Sequence, residues 1–223
     1  QSIQSVTFPA LAKISDNPTK FDEGYRRVLM LTAFIMLPVM TGLIATADDI
    51  YMLLLKPQWH PAIPYFRVMC LIGIFYPISA IAYNVLKVRS NGAIILRLEI
   101  IKKVIMTIIL ATTIPISVMA IAWGMVAAAA CEMVLNIGAT LRYAGLKLKS
   151  LVTTLLPIIA LTAVMYLATE LVGYQIENLA VGLRLAIKIG VGIISYAAIA
   201  YITKMEAFGE ALTIAKQFLS KQK

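Results

Sequence analysis

Six apolar stretches, at about residues 26–47, 63–86, 94–112, 116–138, 151–173 and 180–203, alternate with short polar segments along the chain. Each is close to the ~17–25 residues that a helix needs to cross ~30 Å of hydrocarbon. Their hydrophobicity is continuous, without the ~10-residue alternation of barrel strands, so helices are the spanning element that satisfies the backbone in lipid. The pattern predicts an all-α, polytopic integral membrane protein of about six transmembrane helices. A tail from Met205 to Leu219 mixes apolar residues with Glu206, Glu210 and Lys216, which suits a short amphipathic helix at a membrane surface.

The third stretch has the least certain boundary. A span starting near Ile94 carries Arg97, Glu99, Lys102 and Lys103, whereas one starting at Val104 runs through Pro115 toward Trp123 and leaves five spans. Loop charge favours six, because cytoplasmic loops collect lysine and arginine. On that count one side receives Lys13, Lys20, Arg26, Arg27, Lys87, Arg89, Arg97, Arg142, Lys147, Lys149, Lys204, Lys216, Lys221 and Lys223. The other side and its helix ends receive only Lys56, Arg67, Arg184 and Lys188. Both ends of the chain are therefore expected in the cytoplasm.

Composition supports the same solvent: 61% of residues are hydrophobic and 14% charged, against about 25% charged in an ordinary soluble domain. The net charge of +9 raises nucleic acid as a partner, but the basic residues sit between apolar runs and no nucleic-acid motif accompanies them. Residues 1–25 lack the short apolar core of a signal peptide, and Gln1–Leu11 reads as the end of a helix continuing from upstream in a longer protein. Cys70 and Cys131 each fall inside an apolar run and read as small buried hydrophobes rather than a disulfide. With His60 as the only histidine, no metal site or catalytic triad has raw material. No glycine-rich phosphate loop or paired general acid–base carboxylates occur, so neither an enzyme nor a cofactor is expected.

At 100° per residue, Glu99, Lys102 and Lys103 share an arc of about 100° on the third helix. Three charges facing lipid would cost roughly 7–10 kcal/mol on insertion scales, a cost that a hydrated cavity largely removes. These residues are candidates for a substrate site, with an interfacial anchor as the alternative, and Glu99 and Lys103 are spaced to pair at i,i+4. Arg67 reads as an interfacial anchor or the outer end of a cationic path. Asn84 and Tyr83 could donate to sugar or phosphate oxygens. Glu132 follows the run Ala127–Ala130, whose small side chains favour close helix packing, and is either a structural pair or a protonatable coupling group. Trp59 and Trp123 suit interfacial anchoring. Pro38, Pro77 and Pro157 fall within spans as packing kinks or hinges.

The run Phe8-Pro9-Ala10-Leu11-Ala12-Lys13-Ile14-Ser15-Asp16 with Tyr25-Arg26-Arg27, then Leu53-Leu54-Leu55 to Trp59, Pro61-Ala62 and Pro64, then Arg97–Lys103, resembles the C-terminal half of Wzx-type polysaccharide flippases. Within the MOP superfamily it is most similar to the colanic-acid and teichuronic-acid exporter branch. The resemblance covers about residues 1–200; the family's glycine-glutamate-lysine before tryptophan is replaced by Lys56-Pro57-Gln58. It implies the C-terminal lobe of a MOP/MATE-like transporter plus two appended helices. The implied division is residues 1–25 as the end of a preceding helix and a cytoplasmic loop, 26–138 as four lobe helices, 139–203 as two additional helices, and 204–223 as the cytoplasmic tail.

By the same resemblance, the parent protein flips polyprenyl-pyrophosphate-linked oligosaccharide across the bacterial cytoplasmic membrane by alternating access, coupled to an ion gradient. Its partners would be the lipid-linked oligosaccharide, membrane lipid and polysaccharide assembly proteins. Cations in a low-dielectric cavity would draw the phosphate. The alternatives are a multidrug or lipid-precursor exporter of the same superfamily and, in another class, a membrane-embedded glycosyltransferase, polymerase or scaffold.

Overall fold

The computed structural model describes residues 18–143 and 148–221. The expected helix end at Gln1–Leu11 lies outside these residues. Seven α-helices follow one another among the described residues: α1 (Pro18–Leu54), α2 (Ile63–Arg89), α3 (Gly92–Thr113), α4 (Val118–Tyr143), α5 (Leu148–Gln175), α6 (Val181–Ile202) and α7 (Glu206–Lys221). A short 3₁₀ helix, Pro57–Ala62, connects α1 to α2. The six apolar stretches correspond to α1–α6, and no strand occurs among the described residues.

Five helical segments are long and apolar enough to cross a membrane: Lys20–Leu54, Pro57–Arg89, Val118–Tyr143, Leu148–Gln175 and Val181–Ile202. Helix α3 has the length of a span at 22 residues, but Arg97, Glu99, Lys102 and Lys103 interrupt its hydrophobicity. Exposed Ile35, Ile100, Ile108, Leu167, Ile193 and Ile194 present the apolar surface that lipid, not water, would cover. The protein is an all-α polytopic membrane protein.

Local chemistry sets the helix ends. Asn91 caps α3, its side-chain oxygen accepting from the Ile94 amide at 3.0 Å. Helix α3 therefore starts at Gly92, and it stops before Pro115, so the alternative span from Val104 toward Trp123 does not form. The Ser117 side chain accepts from the Ala120 amide at 3.0 Å and restarts the chain as α4. Helix α1 begins at Pro18, before the apolar run, and continues past Ala47 to Leu54. Its 37 residues span ~55 Å, longer than the hydrocarbon core. Buried Thr162 and Thr169 donate to carbonyls one turn back, Ile158 and Met165, which removes their need for water.

The chain forms two compact units. One contains the described residues up to Thr32 together with Val68–Thr154; the other contains Ala33–Arg67 and the residues from Leu155 onward. In the first, α3 and α4 pack antiparallel, with Gly124 against Thr113 and Ile109 near the turn. A Cβ on Gly124 would come within 2.9 Å of the Thr113 methyl, so glycine permits this approach. Buried Asn136 of α4 donates to the Ser79 hydroxyl of α2 at 2.8 Å, and the Thr140 hydroxyl lies 2.8 Å from the Ala82 carbonyl.

In the second unit, Tyr196 of α6 donates to the Phe34 carbonyl of α1 at 2.8 Å. Phe34 also stacks with Tyr196 and Phe208, and Phe208 with Tyr201, so the start of α7 is pinned by aromatic contacts.

Candidate functional site

Lys102 is ten residues after Gly92, about 15 Å along α3 and near its middle. An ammonium at that depth needs counter-charge. Glu99, one turn earlier on α3, forms an ion pair with it, and Glu132 of α4 stands 3.4 Å away. The antiparallel α3–α4 packing brings Glu132 to Lys102 across 30 residues of sequence. Tyr83 of α2 completes the surroundings: the Lys102 ammonium lies 4.4 Å above its ring. Lys87 lies over the same ring, also at 4.4 Å.

This cluster forms part of the wall of a cavity of about 230 Å³ within the first unit. Tyr76 and Ser79 of α2, Glu99, Lys102 and Lys103 of α3, and Glu132 of α4 are its polar lining. The arc predicted for Glu99, Lys102 and Lys103 therefore faces one space. Their pairing differs from expectation, because Glu99 reaches Lys102 at i+3 rather than Lys103 at i+4. The alanine run also differs from a simple packing seam: Ala128 and Ala129 face the cavity, where their small side chains leave room. Cys131 is exposed and lines the same cavity rather than being buried, whereas Cys70 is buried; both are free thiols.

Lys102 is nearly enclosed, with 9% of its side chain exposed, while Glu99 and Glu132 retain 35% and 50%. The cation is the sequestered partner and the carboxylates are the accessible ones.

Two predicted residues lie elsewhere. Asn84 is buried at 1% exposure within α2 and does not line the cavity; its side-chain nitrogen has no hydrogen-bond partner among the described residues. Arg67 belongs to the second unit, where it forms an ion pair with Asp48 of α1 and points its Nε toward the Ile44 carbonyl at 3.4 Å.

The neighbouring residue of α1, Asp49, is the centre of a second charge cluster that the sequence reading did not identify. It is fully buried, pairs with Arg184 of α6, and lies 2.9 Å from the Lys188 ammonium one helical turn farther along α6. Lys188 also donates to the Ala45 carbonyl at 3.3 Å, and Arg184 to the Glu177 carbonyl at 3.2 Å. Gly173 of α5 leaves the slot through which Lys188 reaches α1, since a Cβ there would lie 2.4 Å from the lysine Cε. The available signal was the acidic pair Asp48-Asp49 directly after an apolar run, with Arg184 and Lys188 spaced one turn apart on another. No group of three or more histidine, cysteine, aspartate or glutamate side chains among the described residues could hold a metal ion.

Comparison with known proteins agrees with the resemblance read from the sequence. Residues 1–64 match a family described as polysaccharide biosynthesis protein. The lipopolysaccharide biosynthesis protein WzxC of Escherichia coli (strain K12) is 24% identical over 100 residues, 45% of this chain and 20% of that protein. A membrane protein encoded in the cps region of Klebsiella pneumoniae is 24% identical over 103 residues, 46% of this chain and 21% of that protein. The match thus spans about a fifth of the length of each relative. No solved structure matches this chain. Together these matches support a likeness to the Wzx-type polysaccharide flippase family.

Proposed function

We propose that this chain is part of a transporter that flips polyprenyl-pyrophosphate-linked oligosaccharide repeat units across the bacterial cytoplasmic membrane for surface polysaccharide synthesis. The supporting observation is the α2–α4 cavity. Ionised groups in membrane-spanning helices are costly unless they face a partner or a hydrated space, and this cluster is paired and lines a cavity. The likeness to WzxC supports the substrate class. In this reading the chain supplies membrane helices of one transporter lobe, with α5 and α6 appended, and a cytoplasmic location of both its ends is supported by the lysine- and arginine-rich loops. Lipid substrate enters from the bilayer while its polar head occupies polar cavities such as this one. Glu132, accessible and bonded to Lys102, is the group best placed to exchange a proton or cation during the cycle.

Exchanging Lys102 and Lys103 together for methionine in the full-length protein tests the reading. Polysaccharide export is expected to fall at least tenfold with normal protein level in the membrane; unchanged export at that level rejects the site.

A further inference from the structure

We propose that the α2–α4 cavity holds a sugar ring of the lipid-linked glycan, bound through its hydroxyls, and not the pyrophosphate; this rests on the transport reading above. Charge is the first reason. The cavity wall carries two acids, Glu99 and Glu132, and two bases, Lys102 and Lys103, so it offers no surplus of positive charge. A pyrophosphate reaching Lys102 would have to displace two carboxylates already bound to it or sit against their like charge. Lys102 is also the least accessible of the ion-paired groups of this cavity wall, enclosed on one side by the Tyr83 ring.

The exposed groups fit a polyol instead. Each carboxylate has lone pairs left after its bond to Lys102, and both residues line the space with 35% and 50% of their side chains exposed, so they can accept there. Lys103 on the same wall donates. Alternating acceptors and donors suit vicinal hydroxyls, each of which can give and receive a hydrogen bond. Tyr76, more than half exposed on α2, adds an aromatic surface on which the C–H face of a pyranose can rest. Apolar Met106 and Met125 complete the lining. At about 230 Å³ the space is below the ~300–1,000 Å³ of pockets for drug-sized ligands, which restricts it to about one ring. A neutral hexose with unsubstituted neighbouring hydroxyls is the ligand class these features select.

The test measures binding to the full-length protein in lipid nanodiscs with three probes, undecaprenyl pyrophosphate and the same lipid carrying either one glucose or one galactose. For the unmodified protein, at least one hexose-bearing probe is expected to bind about tenfold tighter than the bare lipid. Tyr76→Ala, which leaves the ion pairs untouched, should reduce that preference at least threefold. The double variant Glu99→Gln with Glu132→Gln should reduce it to less than twofold without weakening binding of the bare lipid, since it removes the like charge that keeps pyrophosphate from Lys102. Equal binding of all probes by the unmodified protein overturns the sugar site and leaves the transport reading standing. A preference that survives both variants, or an equal loss for bare and hexose-bearing lipid, overturns it as well. Failure of the unmodified protein to bind any of these lipids overturns both readings.

Discussion

The two charge clusters of this protein contain similar residues and lead to opposite expectations. Around Lys102, a cation is enclosed and its acids remain 35% and 50% exposed beside a cavity. Around Asp49, an acid is completely enclosed, and its two bases have only 14% and 10% of their side chains exposed. In the first cluster, bonding capacity remains for a ligand. In the second, Arg184 and Lys188 spend theirs on Asp49 and on backbone carbonyls, which ties α6 to α1 within one unit. Intramembrane charge is thus not by itself a functional mark; accessibility of the paired groups distinguishes a binding surface from a structural joint.

The comparison breaks most readily at Asp49. Asp49→Asn leaves two enclosed cations without their counter-charge and should cost about 3–5 kcal/mol, the range for removing one partner of a buried ion pair. A fall in the unfolding midpoint of the detergent-solubilised protein reads this effect. Replacing Asp49, Arg184 and Lys188 together by leucine or methionine should recover most of it, because no charge is then stranded. If Asp49→Asn unfolds like the unmodified protein, the cluster is not a structural joint.

A smaller effect is expected at the slot. Gly173→Ala places a methyl where Lys188 crosses α5 and should cost about 1–3 kcal/mol, as overpacking of a close contact does. In a Lys188→Ala background the same change should cost almost nothing, and a double-mutant cycle measures that coupling. Additive losses would show that Gly173 serves some contact other than the lysine.

Glu132→Gln should have the smallest effect on stability, within about 1 kcal/mol, because half of the side chain is exposed and Lys102 keeps Glu99. Export should nevertheless decline, measured at equal protein level. A destabilisation as large as that of Asp49→Asn would erase the distinction between the clusters.

The legibility of these features follows the distance over which their physics acts. The common face of Glu99, Lys102 and Lys103 needs only the helical period, so it can be read from five consecutive residues. The pairing of Lys102 with Glu132 needs the antiparallel turn at Ile114–Ser117, and Tyr83 joins only because α2 lies alongside. Asn84, adjacent in sequence to Tyr83, points to a different environment because neighbouring helical residues differ by 100°. Asp48 and Asp49 mark the apparent end of an apolar run, yet α1 continues beyond them to Leu54. The bases on α2 and α6 neutralise them where an isolated helix would leave them stranded.

Sequence alone determined the solvent, the helical class and the positions of the six apolar stretches, because the length and hydrophobicity of a segment are local quantities and the bilayer imposes the rest. The start of α3, open between Ile94 and Val104 in the sequence, was decided by the structure, where Asn91 caps the helix. Tertiary structure decided which charges meet and which remain accessible. Burial and ion pairing depend on groups brought together from distant helices, so the same lysine can be a free cation, an enclosed counter-ion or a tether until its neighbours are in place.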